Sequence, residues 1–150
     1  MRGRGVLVSI EIDAPPEQVW AELERIEDHV EWMADAVAID FHGEQRRGSG
    51  TSFSCRTRIG PLATTDEMEI IEWEPPRSMG VTHRGAVTGT GRFEIEPMGD
   101  GSLVSWNERL RFPVWMGGPL GAAVAGPIFK WIWRRNLVRL KARVEGGDRR

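Results

Sequence analysis

The sequence predicts an α+β fold in which a curved antiparallel sheet of about seven strands wraps a long C-terminal helix, with two short helices after the first strand. Three observations carry that expectation. An apolar run from Val6 to Ile12 switches at Asp13-Ala14-Pro15-Pro16 into a helical pattern. The stretch from about Gly118 to Glu145 is the only other helix of substance, and everything between reads as alternating strands and turns.

Taken in order, the first strand is expected at 5–12 and the first helix at 16–24, with Asp13 as N-cap and the prolines in first-turn positions, where a missing N–H costs nothing. Val19, Trp20 and Leu23 form an apolar stripe on a helix too short to stand alone, so it must lie on the sheet. A second helical piece follows at 26–33. Strands are expected at 36–42, 51–59, 62–73, 78–85, 89–97 and 102–112, punctuated by Gly43 to Gly50, Gly60-Pro61, Glu74-Pro75-Pro76-Arg77 and Gly99-Asp100-Gly101. Such short connections favour antiparallel neighbours, and no repeat or linker divides residues 1–150, so one domain is expected.

The closing helix is uncharged from Val114 to Phe129 but too short and too rich in glycine and proline to cross a bilayer. Pro127 is expected to kink or break it, leaving Gly117, Gly118, Gly121 and Gly126 in a mobile lip that gates a cavity. Beyond Pro127, Phe129, Trp133, Leu137, Leu140 and Val144 recur on one helical face, which should grip the sheet.

Charge is uneven. Residues 130–150 carry eight Lys or Arg against two acids, whereas residues 1–129 carry twelve against twenty. Arg134, Arg135, Arg139, Lys141 and Arg143 fall away from the apolar stripe, as on a solvated outer face. The same face is a candidate for peripheral contact with an anionic membrane surface. No aromatic residues interleave with those cations on that face, so nucleic acid is not an expected partner. The single Cys55 excludes an intramolecular disulfide and reads as a small buried hydrophobe, which fits a reducing, cytoplasmic compartment. Arg2 and Arg4 precede no long apolar segment of the kind a secretory signal needs.

Period-two alternation assigns inward faces. Phe53, Cys55 and Ile59 point in from the third strand, and Leu62, Asp66, Met68 and Ile70 from the fourth, where Ile71 and Trp73 imply a bulge. Met79, Val81 and His83 share a face on the fifth strand, with Thr82 and Arg84 on the other. Phe93 and Ile95 face in on the sixth, and Val104, Trp106, Glu108 and Leu110 on the seventh. Asp66, His83 and Glu108 are thus inward polar groups, able to orient a mostly apolar ligand or to move protons. Candidate ligand-binding residues are Trp32, Phe53, Met68, Val81, Phe93, Trp106, Phe129 and Trp133. The three histidines lack metal-ligand spacing, and no P-loop, complete GxGxxG, HExxH or GxSxG occurs, so neither metal nor nucleotide cofactor is expected.

Ile10-Glu11-Ile12-Asp13-Ala14-Pro15-Pro16-Glu17-Gln18-Val19-Trp20, Ile26-Glu27-Asp28-His29-Val30-Glu31-Trp32 and Trp73-Glu74-Pro75-Pro76-Arg77 resemble the START-like (SRPBCC) helix-grip superfamily, which includes polyketide cyclase/dehydrase-type proteins. That resemblance implies a Bet v 1-like fold and a hydrophobic ligand, lipid-, quinone- or polyketide-like, held between sheet and helix. It also sets Trp32 at a position that aromatic polyketide cyclases fill with tryptophan, and Arg84 at that of a pocket arginine, which would make Arg84 face inward against the alternation. The serine and arginine those cyclases carry on the preceding strand have no counterpart in Met68-Glu69-Ile70-Ile71-Glu72. The expectation is therefore a binder of a hydrophobic small molecule. The alternative is a cyclase or dehydratase using His83, Arg84, Asp66 or Glu108.

Overall fold

The computed structural model describes residues 5–146, so Arg2, Arg4, Arg149 and Arg150 lie outside the described residues. Its strands are β1 (Gly5–Ile12), β2 (Ala36–Phe41), β3 (Ser52–Ile59), β4 (Leu62–Glu74), β5 (Ser78–Arg84), β6 (Thr88–Met98) and β7 (Gly101–Arg111). They form one seven-stranded antiparallel sheet in the order β1-β7-β6-β5-β4-β3-β2. A ten-residue loop joins β2 to β3 and short turns join the strands from β3 to β7, which keeps β2 to β7 as a meander. Only the helical link after β1 spans the sheet, so β1 and β2 end on opposite edges.

That link is α1 (Pro16–Leu23), a 3₁₀ turn at Ile26–Asp28 and α2 (His29–Trp32). The N-cap of α1 is Pro15 rather than Asp13, and no side chain caps it. Asp13 is tied elsewhere: its backbone N–H donates to Glu145 Oε2 at 2.8 Å, while Gln18 Nε2 donates to the Val144 carbonyl at 3.1 Å. These bonds fasten the first helix to the end of the last. Val19, Trp20 and Leu23 are buried as their spacing requires.

The β4–β5 register shifts between Ile70 and Glu72, which turns Ile71 to solvent and sets Trp73 edge-on to Trp20 at 5.1 Å. This is the bulge that the Ile71/Trp73 pattern implied.

After a 3₁₀ turn at Val114–Met116, α3 runs from Gly118 to Gly146 as one helix with Pro127 inside it, so of the expected kink or break the break does not occur. Both Pro127 and Ala123, whose carbonyl loses its intrahelical donor, face solvent, where water can serve the orphaned oxygen. The cost of about 3 kcal/mol is offset further along. There Leu137, Leu140 and Val144 are buried, and each contributes about 1.5–3 kcal/mol. They join Val8, Ile12, Val104 and Trp106 in one core cluster.

The glycines before Pro127 are not equivalent. A Cβ on Gly121 would lie 2.1 Å from the Met116 carbonyl oxygen, whereas one on Gly126 meets nothing within 4 Å. Gly121 is there for close backbone approach, which removes it from the set expected to loosen a lip.

Candidate functional site

A cavity of about 130 Å³ lies between the concave face of the sheet and α3. Some 10–15 Å³ on this measure admits one water, so there is room for an organic ligand. Of the side chains expected there, Phe53, Met68 and Val81 line it from β3, β4 and β5. Phe93 and Trp106 line it from β6 and β7, and Phe129 and Trp133 from α3.

The aromatic members are ordered. Phe112 stacks on Phe129 at 6.0 Å between ring centroids, Phe129 on Trp133 at 5.0 Å, and Trp133 on Trp106 at 5.2 Å. Phe93 continues the series at 4.8 Å from Trp106, tilted by 35°. The cavity therefore has one continuous aromatic wall, suited to an apolar ligand with a flat face.

Trp32 is not part of that wall. It is fully buried behind it, edge-on to Trp106 at 6.2 Å and to Phe93 at 6.0 Å, and supports the lining rings instead of meeting the cavity. Arg84 is exposed at the end of β5, on the face opposite His83. Adjacent residues of a regular strand cannot share a face, so the alternation holds and the inward arginine implied by the family likeness does not.

Asp66, His83 and Glu108 all line the cavity. Glu108 sits on β7 and His83 on β5, with β6 between them. Glu108 nevertheless bridges the gap, its Oε2 lying 2.9 Å from His83 Nε2, while Trp106 Nε1 donates to Oε1 at 3.0 Å. The bridge passes over Gly91, the cross-strand partner of Glu108, where a Cβ would come within 2.4 Å of Oε1 and 2.7 Å of Cδ. A glycine is required here for want of space, not for unusual backbone angles.

Burial disfavours a charged His83, but attraction to the Glu108 carboxylate, the hydrogen bond to it and the charge of Asp66 more than offset that, holding the imidazole above its ordinary pKa. Asp66 is pushed above the usual carboxylate range, chiefly by burial and further by Glu108, although His83 opposes the shift. Its buried Oδ1 has no hydrogen-bond partner among the described residues. Neighbouring Cys55 is buried, and burial raises its thiol to about 11, which leaves it no thiolate character for nucleophilic work near neutrality.

The sequence reading missed several contributors, among them His29, Asp35 and Met116. His29 lines the cavity as a neutral imidazole: burial pulls its pKa down, and Nε2 lies 2.7 Å from the Leu23 carbonyl. Asp35 also lines it, held by Asn136 Nδ2 at 2.8 Å and Trp133 Nε1 at 3.3 Å. Met116 closes the lining beside Phe112. Asn136 was the readable clue to the Asp35 anchor, being a polar residue set in the apolar face of α3.

Comparison with known proteins agrees with this architecture. The family model described as polyketide cyclase / dehydrase and lipid transport matches residues 5–145. TTHA0849 from Thermus thermophilus is 18% identical, with a TM-score of 0.79 over 96% of this chain and 99% of its own. A START superfamily protein from Mycobacterium smegmatis is 17% identical, with a TM-score of 0.76 over 96% and 99%. The di-domain ARO/CYC StfQ from the steffimycin biosynthetic pathway is 12% identical, with a TM-score of 0.80 over 98% of this chain and 52% of that one. No curated protein matches in sequence. At such identities the structural likeness speaks for the fold alone, a START-like helix grip. Given a family match that spans nearly its whole length, the chain belongs to the polyketide cyclase / dehydrase and lipid transport family.

Proposed function

We propose that the chain acts as a single ligand-binding domain that captures a small, mostly apolar molecule, lipid-, quinone- or polyketide-like, in the cavity beneath α3. The observation that carries this reading is the composition of the cavity, a continuous aromatic wall facing one polar cluster of Asp66, His83 and Glu108. A ligand carbonyl or hydroxyl set against that cluster would meet the His83 imidazole, while its carbon frame lies on Trp106, Trp133 and Phe129. The same reading places the protein in a reducing compartment such as the cytoplasm, in keeping with the lone thiol of Cys55.

Native mass spectrometry of gently purified protein, followed by solvent extraction, tests the capture. The expected result is a co-purifying apolar molecule that is lost from the Val81→Phe variant, in which the added ring fills the cavity at a cost of about 1–3 kcal/mol. Empty wild-type protein that also fails to take up hydrophobic probes would overturn the reading.

A catalytic version, a cyclase or dehydratase, is favoured by one specific feature: the two shifted groups differ in role. A cationic His83 held by Glu108 would protonate or polarise a carbonyl oxygen, and Asp66, made more basic by its burial, would take a proton from carbon. His83→Gln should then abolish turnover while capture persists. Equal turnover in both proteins would remove this version and leave the binder.

A further inference from the structure

The N-terminal half of α3 is apolar on both sides. Phe129 and Trp133 face the cavity, but Leu120, Val124, Ile128 and Trp131 recur on the opposite face and are 74%, 65%, 50% and 61% exposed. The preceding turn adds Val114 and Trp115 at 92% and 73%. A contiguous outward apolar surface of this kind is uncommon on a monomer and marks a contact site.

Its electrostatic border is one-sided. From Arg109 to Val144 the chain contains no Asp or Glu, and Lys130, Arg134 and Arg135 follow directly on the apolar turns. The Arg135 guanidinium lies 4.8 Å over the Trp131 ring, which sets a cation beside an exposed indole and corrects the expectation that no aromatic residue accompanies the basic face. Further along, the basic residues are already engaged. Arg143 pairs with Glu22 at 2.6 Å, Lys141 with Glu145, and Arg139 donates to Asn136 at 3.3 Å. The cations beside the apolar surface have no acidic partner among the described residues.

We propose that this surface docks on an anionic lipid bilayer, with Trp115, Leu120, Val124 and Trp131 entering the interfacial layer and Lys130, Arg134 and Arg135 meeting headgroup phosphates. A second copy is the poorer occupant. A two-fold contact through this face would set the basic border of one protomer near that of the other, with no acid in the segment to compensate. Docking here concerns the cavity too, because Phe112, Met116 and Phe129 line it from the same segment. The segment that meets the membrane is thus one wall of the ligand site.

Co-sedimentation of the full chain with vesicles of phosphatidylcholine alone, or of phosphatidylcholine with phosphatidylglycerol, is the test. Binding to the anionic vesicles is expected, falling as salt rises. Trp115→Ser combined with Trp131→Ser should lower it at least tenfold. Arg134→Gln with Arg135→Gln should lower it roughly 30-fold on anionic vesicles, from about 1 kcal/mol per basic residue at the surface. Thermal unfolding of both pairs should match the wild type, since all four side chains are exposed. The Val81→Phe variant, with its cavity filled, should still bind vesicles, so loss of the cavity reading and loss of the docking proposal are separate outcomes. Negligible binding to both vesicle types would overturn the proposal, as would unchanged binding by the variants. A dimer in sedimentation velocity that the tryptophan pair abolishes would assign the surface to a second copy instead.

Discussion

Replacing Gly91 by alanine breaks the Glu108 bridge without altering any of the groups that form it. The backbone there is not left-handed, so alanine is conformationally allowed, but its methyl would lie 2.4 Å from Glu108 Oε1 and 2.7 Å from Cδ. Those atoms end a flexible side chain, so the carboxylate swings away and the sheet stays intact. Two charge-assisted hydrogen bonds go with it, to His83 and Trp106, at about 1.5–3 kcal/mol each. Alanine returns about 0.5–1 kcal/mol of chain entropy, so the net loss is about 2–5 kcal/mol by urea unfolding. The sign of the pH dependence should reverse as well. In the wild type His83 is held above the ordinary value of 6.5, so its contribution to stability is full below that value and is lost as pH rises through the folded pKa. Without the Glu108 carboxylate, burial, the largest influence on this group, dominates and the folded pKa falls below the ordinary value. Stability is then lost as pH falls. Ring-resonance NMR titration of His83 reads the shift directly. A folded Gly91→Ala protein whose His83 titrates as in the wild type would refute the bridge as the source of the perturbation.

Gly121→Ala should lower the melting temperature, because its methyl meets the Met116 carbonyl, whereas Gly126→Ala should stabilise by up to about 1 kcal/mol through helix propensity; equal effects would show that the close approach is not real. Asn136→Ala should cost about 1–3 kcal/mol by removing the side-chain partner of the Ala34 N–H and of Asp35 Oδ1, although Trp133 Nε1 still holds the Asp35 carboxylate. Asn136→Asp should be worse near neutrality than in acid, since it sets a second carboxylate against Asp35, and urea melts at two pH values separate the cases. Cys55 should resist thiol reagents until the protein unfolds, as a thiol raised to about 11 is only about one thousandth ionised at pH 8.

What could be read in advance was what strand geometry enforces locally. Asp66, His83 and Glu108 faced inward because alternation leaves a strand residue no third choice, and the same rule overruled the arginine position that family likeness suggested for Arg84. What could not be read depends on distances across the sheet. Nothing in Gly89-Thr90-Gly91 announces that a glutamate two strands from its histidine will pass over one of those glycines. Trp32 looked like a cavity residue from its place after the second short helix and from family likeness, yet the neighbours that bury it come from β6 and β7, far along the chain. Pro127 misled for a different reason: the helix-breaking rule describes an isolated helix, and here the burial of Leu137, Leu140 and Val144 holds the next turns in place.

The stacked aromatic wall gives the protein an optical property of its own. With seven tryptophans and no tyrosine, ultraviolet absorption and emission come almost entirely from indole. Two of those indoles, Trp106 and Trp133, stack on each other at 5.2 Å and 29° within the wall of the ligand site, close enough for their transitions to couple and split in near-ultraviolet circular dichroism. A molecule that leans on that stacked pair from the cavity changes the splitting, whereas Trp115 and Trp131 on the outer surface report through the colour of their emission. Occupancy inside and contact outside can therefore be followed as two separate signals from the unlabelled chain.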